Sequence, residues 1–243
     1  MNQTTFPFSS GNDYDPNEYI ESSSNKAAYN ALMHWPEFAG VEPYARVLII
    51  EGAKSSGKTF LARRWAAKSG ALFIKKMHEL TENIIANHSA FIIDDFDESW
   101  EEEKLLHHFN IIHEHSKYLL ITTRKLHEAS LRETSLRERS LHEASLPEIK
   151  LPDLSSRLNA SNKISIELPD DELLKILIFK LFSNRSVVIG ADVVEYLIKN
   201  LAREFQVIIN SAEAINKFAL ENKRKITIPL VKQVLLAEKI QIA

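Results

Sequence analysis

The chain has 243 residues, of which 44% are hydrophobic and 26% charged, a composition typical of a folded protein with a substantial core. Its formal net charge of -3 gives no overall attraction to nucleic acid or to an anionic membrane surface. The absence of cysteine excludes disulfides and thiolate metal sites, and it fits a reducing compartment.

Residues 1–20 are predicted to form an extended N-terminal arm, because they are polar and contain glycine and two prolines. The first residues lack the basic and apolar stretches of a signal peptide, and apolar runs elsewhere are too short to span a bilayer. The protein is therefore expected in the cytoplasm, without a membrane partner. Within the arm, Gln3, Phe6 and Phe8 stand out, because two aromatic side chains there have no core to join. On composition alone, an uninformative disordered tail is the favoured interpretation.

Short apolar runs alternate with helical stretches in residues 21–168, after a first helical segment at 25–32. The apolar runs, interpreted as strands, cover 46–50, 71–74, 90–93, 118–122 and 164–168. Helices are expected over 58–68 and 101–115. Continuous apolar strands that alternate with helices indicate a parallel sheet covered on both faces. The sequence therefore predicts an α/β base with five parallel strands.

A five-residue repeat separates the fourth and fifth predicted strands. Leucine, glutamate and serine recur at the same positions of each repeat across residues 126–145. A period of five matches neither one face of a helix nor one face of a strand. We interpret residues 125–147 as a weakly structured insertion without a chemical role.

The chain is predicted to be entirely helical after Pro169. Apolar periodicity indicates helices over 170–182, 191–201, 205–220 and 228–236. Residues 169–243 are therefore expected to form a separate helical lid.

A phosphate-binding loop is predicted between the first strand and the following helix, which is the context that such a motif requires. Its residues are Gly52, Ala53, Lys54, Ser55, Ser56, Gly57, Lys58 and Thr59. In such a loop, backbone N–H groups surround phosphate oxygens, the lysine reaches the β- and γ-phosphates, and the threonine hydroxyl binds Mg²⁺. The alternative is a chance match with an empty loop. The predicted cofactors are ATP or ADP with Mg²⁺.

Polar side chains at the ends of two other strands complement this loop. Asp94 is expected to hold Mg²⁺ through water, and Asp95 to orient the attacking water. Without the loop, an acidic turn that caps the next helix would explain both aspartates equally well. Thr122, near the end of the fourth strand, is a candidate γ-phosphate contact, although threonine is also common in strands for its β-propensity.

The order of these motifs resembles the AAA+ module of the DnaA-related family, and more closely its shorter, Hda-type members. The most specific parts are Leu-Pro-Asp-Leu-Ser-Ser-Arg-Leu at 151–158 and Thr-Ile-Pro-Leu-Val-Lys at 227–232. The segment Ser-Asn-Lys-Ala-Ala-Tyr at 24–29 resembles the start of that module. The resemblance covers nearly the whole chain apart from the repeat, and it implies a P-loop AAA+ base with a C-terminal helical lid.

The resemblance also implies roles for residues outside the phosphate loop. Arg157 matches the arginine that one family member projects onto a neighbour's nucleotide; without the motif it would be interpreted as a surface ion-pair partner. Gln3, Phe6 and Phe8 resemble the motif with which Hda-type proteins dock on the DNA polymerase sliding clamp, an extended peptide with a polar clip and two apolar anchors. The implied partners are the sliding clamp and the initiator DnaA, and self-association is left open.

The lid departs from the family pattern at one position. DnaA-type lids place an arginine that contacts the nucleotide phosphates in the helix predicted over 205–220, but here Gln206 stands at that position. Arg203, one turn earlier, is therefore the candidate lid contact. This departure predicts that the chain itself has weak or no ATPase activity.

The predicted function is a clamp-bound regulator that promotes hydrolysis of ATP on the initiator and so limits re-initiation of replication. One alternative is a self-hydrolysing AAA+ ATPase of the helicase-loader kind. A second alternative is a truncated initiator that binds DNA. The charge of -3 and the lack of a DNA-binding domain after the lid argue against sequence-specific DNA binding.

Overall fold

The computed structural model describes residues 19–34, 44–76, 79–97, 99–124, 149–185 and 187–238. Gln3, Phe6 and Phe8 of the arm and the repeat insertion at 125–147 lie outside the described residues. Within those described, no helix has both the length and the apolar character needed to cross a bilayer.

One sheet organises the first part of the described chain. Its strands are β1 (Val47–Gly52), β2 (Leu72–Ile74), β3 (Ala90–Phe96), β4 (Tyr118–Arg124) and β5 (Asn162–Ile166). The helices are α1 (Lys26–Met33), α2 (Lys58–Ser69), α3 (Glu82–Asn87), α4 (Glu102–Glu114), α5 (Pro152–Ala160), α6 (Asp171–Ser183), α7 (Ala191–Asn200), α8 (Phe205–Glu221) and α9 (Ile228–Ala237). All strand pairs are parallel, in the order β2-β3-β4-β1-β5. The predicted five-stranded parallel sheet is confirmed.

Alternate side chains of the strands enter two separate cores. Val47 and Ile49 face the cluster formed with α3, α4 and α5, whereas Leu48 and Ile50 face the cluster formed with α1 and α2. Every residue of β1 is buried, as expected for a central strand of a sheet covered on both faces. The position of β1 between β4 and β5 places the following phosphate loop at the carboxyl edge of the sheet, beside the end of β4.

The lid has a core of its own, built from α6, α7, α8 and α9. Phe182 is fully buried in it. Helix α6 is capped by Asp170, whose carboxylate accepts a hydrogen bond of 2.7 Å from the Leu173 N–H. Helix α9 has a proline in its first turn, a position that tolerates the missing N–H. All four lid helices begin and end within one residue of their predicted bounds.

The structure corrects the prediction that the third strand stops at the two aspartates. Strand β3 continues to Phe96, so that Asp94 and Asp95 lie within it, and its register against β4 shifts after Ile93. Asp95 has φ 57°, a left-handed conformation that residues other than glycine seldom adopt. Irregularities of this kind re-aim side chains at the rim of a sheet.

Other predicted bounds also shift. Strand β4 extends past residue 122 to Arg124, and β5 begins at Asn162 rather than at residue 164. Helices α3 and α5 are not among the predicted elements, because with 6 and 9 residues they are too short for a clear helical period.

Candidate nucleotide-binding site

The phosphate loop connects β1 to α2 and requires glycine at two positions. A Cβ on Gly52 would lie 2.7 Å from Oγ of Ser56 and 3.1 Å from Cβ of Ile166, so a side chain does not fit there. Gly57 has φ 93°, a conformation that favours glycine, and Ser55 also turns through a left-handed φ of 66°. The glycine spacing in the sequence therefore corresponds to backbone needs of the loop.

Lys58 is the first residue of α2, and its ammonium group turns back into the loop. Nζ donates hydrogen bonds of 2.8 Å to the carbonyl oxygens of Gly52 and Ala53. The residue is only 7% exposed. Burial lowers the pKa of Lys58; the Asp95 carboxylate opposes this shift, and the Arg124 guanidinium adds to it. A buried cation at the floor of this loop is placed to bind a phosphate.

Ser56 offers a hydroxyl that suits a phosphate ligand. Its side chain is buried, and Oγ has no hydrogen-bond partner among the described residues. An unsatisfied buried hydroxyl costs about 1–3 kcal/mol, which a phosphate oxygen would offset. The loop opens on a cavity of about 320 Å³. The cavity is lined by Lys54, Ser55, Ser56, Gly57, Lys58, Thr59, Asp95, Thr122 and Arg124. The loop therefore fits a nucleotide phosphate.

Thr59 and Asp94 line a second cavity, of about 760 Å³, which shares Thr59 and Asp95 with the first. Oδ1 of Asp94 accepts a hydrogen bond of 2.6 Å from Oγ1 of Thr122. Hydroxyl and carboxylate oxygens are suitable ligands for Mg²⁺, which usually takes one or two protein groups together with phosphate oxygens and water. These residues thus fit a magnesium ion held by the Thr59 hydroxyl and, through water, by Asp94.

Thr122 supports both aspartates. Besides donating to Asp94, Oγ1 of Thr122 accepts a hydrogen bond of 2.8 Å from the backbone N–H of Asp95. The residue is fully buried. Its hydroxyl proton is therefore committed to Asp94, and a direct contact with the γ-phosphate stays a prediction.

Arg124 is a residue of the cavity that the sequence analysis misses. Its Nε donates to Oδ1 of Asp95 at 3.0 Å, and its Nη2 donates to Oδ2 at 2.7 Å. The carboxylate predicted to orient water is thus held in a two-pronged ion pair. The fourth strand was predicted to end at residue 122, which left Arg124 outside the expected site. The sequence feature that could have identified Arg124 is a basic residue directly after the polar end of the fourth predicted strand.

The lid contacts the phosphate loop through an uncharged side chain. Oγ of Ser55 donates a hydrogen bond of 2.9 Å to Oε1 of Gln206. Arg203, the predicted lid contact, pairs instead with Asp171 at 2.7 Å. Arg203 precedes α8, which begins at Phe205 as predicted. The structure therefore brings Gln206 to the loop, and a nucleotide contact by Arg203 stays a prediction.

Tyr19 is a second residue that the sequence analysis misses. Its ring stacks against Tyr29 and Phe60, with centroid distances of 5.6 and 5.2 Å. Its Cε2 lies 3.5 Å from the position that a Cβ on Gly57 would take. Burial raises the pKa of the Tyr19 hydroxyl. Tyr19 therefore lies beside the phosphate loop at Gly57. It was predicted to belong to the N-terminal arm, because polar residues precede it.

Arg157 lies apart from these cavities, on α5. The residues that line the two described cavities do not include it. Its guanidinium carbon is 6.0 Å from the centroid of the Tyr44 ring, which in turn packs edge-on against Phe109 of α4. Arg157 is therefore not part of the phosphate-loop site, and its action on another molecule's nucleotide stays a prediction.

The sheet order, the phosphate loop after β1 and the helical lid define an AAA+ module. The lid matches the family of Hda lid domains over residues 170–235. The fold is similar to domain III of the replication initiation protein DnaA from Thermotoga maritima, with 16% identity, coverage of 93% of this chain and 97% of that chain, and a TM-score of 0.65. The lid match and the shared fold together support an Hda-type, DnaA-related AAA+ protein.

Other solved structures share the fold. AMPPCP-bound DnaA from Aquifex aeolicus is 17% identical, over 85% of this chain and 64% of that chain, with a TM-score of 0.56. The RuvB Holliday junction branch migration motor of Thermotoga maritima is 14% identical, over 79% and 62%, with a TM-score of 0.54. Identities this low show the fold alone. No curated protein matches the sequence.

Proposed function

We propose that this chain is a regulator of replication initiation that binds the sliding clamp and promotes hydrolysis of ATP held by DnaA. The observation that carries the proposal is the uncharged lid contact between Gln206 and Ser55. A cation at this place would stabilise the charge on a transferring phosphoryl group, and an amide cannot replace it. The chain's own site therefore suits binding of a nucleotide better than its rapid hydrolysis.

Arg157 is the group that the chain offers to its partner. In the proposed complex its guanidinium contacts the γ-phosphoryl oxygens of ATP on DnaA. Water attacks the γ-phosphorus, the bond to the bridging oxygen breaks, and ADP and inorganic phosphate leave. The arginine keeps its proton throughout, and its charge stabilises the negative charge on the transferring group.

The N-terminal arm is the proposed clamp contact. Gln3 would donate and accept hydrogen bonds, while Phe6 and Phe8 fill an apolar pocket, as extended peptides do on partner surfaces. A short motif of this kind binds with an affinity on the order of micromolar. A clamp ring with several identical pockets would raise the effective affinity through avidity.

A single-turnover assay tests this function. Labelled ATP is preloaded on DnaA, the clamp is loaded on DNA, and the chain is added last. The wild-type chain should accelerate hydrolysis by more than about tenfold, because an arginine supplied in trans contributes a large rate factor. Combined alanine substitution of Gln3, Phe6 and Phe8 should reduce the rate to that seen without clamp.

Tyr14→Ala is the matched control, because it removes another aromatic side chain from the same arm. It should leave the acceleration intact. Full acceleration by the triple variant would reject the arm as the clamp contact. No acceleration by the wild-type chain would reject the proposed function itself.

The lid position makes a separate prediction. Gln206→Arg should tighten binding of the non-hydrolysable ATP analogue AMPPNP by about tenfold, because a charge-assisted hydrogen bond to the terminal phosphate is added. Binding of ADP, which lacks that phosphate, should change by less than about twofold. Calorimetric titration measures both. Leu220→Arg, at an exposed position in the last turn of α8, is the control; equal tightening by both variants would indicate a general charge effect.

A further inference from the structure

The ion pair between Arg124 and Asp95 has little value as a stabilising contact. Both side chains are about half exposed, at 53% and 48%. Exposed ion pairs contribute little to folding, whereas the left-handed conformation of Asp95 is costly. A strained residue that is held on two sides, by Arg124 and by the Thr122 hydroxyl, points to a role in the site.

The pair lies in the phosphate-loop cavity. Arg124, Asp95 and Lys58 all line the same cavity of about 320 Å³. The Arg124 charge acts on Lys58 and lowers its pKa. Two cations that face one cavity repel each other unless an anion lies between them. In this structure the Asp95 carboxylate provides the negative charge next to Arg124.

We propose that Arg124 contacts the terminal phosphate of ATP, and that Asp95 holds the guanidinium in place when that phosphate is absent. The inference rests on the proposed binding of a nucleotide by the phosphate loop. Phosphate and carboxylate oxygens present the same paired acceptors to a guanidinium. When ATP binds, its terminal phosphate therefore replaces the Asp95 carboxylate as the partner of Arg124. ADP lacks this phosphate and leaves the ion pair intact.

This exchange predicts that substitutions of Arg124 and of Asp95 change the affinity for an ATP analogue in opposite directions. Arg124→Ala removes the phosphate contact, so the ATP analogue binds more weakly. Asp95→Asn removes the competing carboxylate, so the analogue binds at least as tightly as to the wild type. If the pair were purely structural, both variants would break the same contact and weaken binding alike.

The experiment measures the dissociation constants of Mg-AMPPNP and Mg-ADP by calorimetric titration. Arg124→Ala should weaken AMPPNP binding by about tenfold or more, and ADP binding by less than about twofold. Arg46→Ala is the charge control, because this arginine precedes β1 and stacks over the Tyr118 ring, 5.1 Å from its centroid, at the opposite end of the strands. It should leave both constants unchanged. Thermal unfolding verifies that each variant is folded.

Two results would overturn the inference. One is an equal effect of Arg124→Ala on both nucleotides, including no effect on either. The other is a weakening of AMPPNP binding by Asp95→Asn that matches the weakening by Arg124→Ala. Failure of the wild-type chain to bind either nucleotide would reject the nucleotide site and this inference together. An unchanged AMPPNP-to-ADP ratio in Arg124→Ala, with normal wild-type binding, rejects this inference alone.

Discussion

Lys58→Ala is expected to abolish binding of both ADP and ATP. The Lys58 ammonium is buried at the floor of the phosphate loop, where it donates to the carbonyl oxygens of Gly52 and Ala53. A phosphate in the loop would gain this cation in an environment shielded from water, where charge-assisted hydrogen bonds are strong. Its loss should weaken affinity by more than about a hundredfold. Titration with a fluorescent ADP derivative measures the effect.

Collapse of the loop is the competing explanation for such a loss. Lys58→Met keeps most of the aliphatic stem and removes the ammonium group with its charge and its two hydrogen bonds, so it should also fail to bind while the fold is retained. Lys68→Ala removes a lysine from the last turn of the same helix, and it should bind like the wild type. A folded Lys58→Met variant with wild-type affinity would show that the nucleotide does not use this loop.

The sheet and the lid were predictable because their signals are local. The apolar run of β1 and the glycines at 52 and 57 lie next to each other in sequence, and each meets a backbone need of the loop. The lid helices show the apolar period of buried helices, and start signals such as Asp170 and the proline in α9 mark their first residues. Such patterns need no knowledge of how distant segments meet.

The contacts inside the cavity were not predictable in the same way. Arg124 and Asp95 are 29 positions apart and meet because β3 and β4 are neighbours with a shifted register at the aspartates. Ser55 and Gln206 are 151 positions apart and meet only through the packing of the lid on the base. No local sequence pattern encodes either of these two contacts. The sequence therefore indicated which residue types form the site, but not which residues they contact.

Arg203 illustrates the same limit. The family pattern called for a lid arginine, and Arg203 was the nearest arginine to the expected position. The start of α8 at Phe205 leaves Arg203 in the preceding segment, where Asp171 in the first turn of α6 pairs with it. Arg203 and Gln206 are only three positions apart, but Arg203 lies before α8 and pairs with Asp171, whereas Gln206 lies on α8 and contacts the phosphate loop.

Arg157→Ala is expected to abolish stimulated hydrolysis of initiator-bound ATP and return the rate to that of DnaA alone, a loss of more than about tenfold, because an arginine finger contributes a large rate factor. Nucleotide binding by the chain should be unchanged, since Arg157 does not line the described cavities. Its contact with the Tyr44 ring is a weak cation–π interaction, so the fold should survive. The single-turnover assay with DnaA and clamp measures the loss.

Arg157→Lys should fail nearly as badly as Arg157→Ala, because an ammonium cannot reproduce the planar, two-pronged contact of a guanidinium with phosphoryl oxygens. Lys163→Ala is the local charge control, because Lys163 contacts Asn159 on the same helix α5. It should keep the stimulation. Rapid ATP turnover by the chain alone, unaffected in Arg157→Ala but lost in Asp95→Asn, would contradict a role in trans. That result would favour a self-hydrolysing ATPase of the helicase-loader kind, because the catalytic groups would then all belong to the chain's own site.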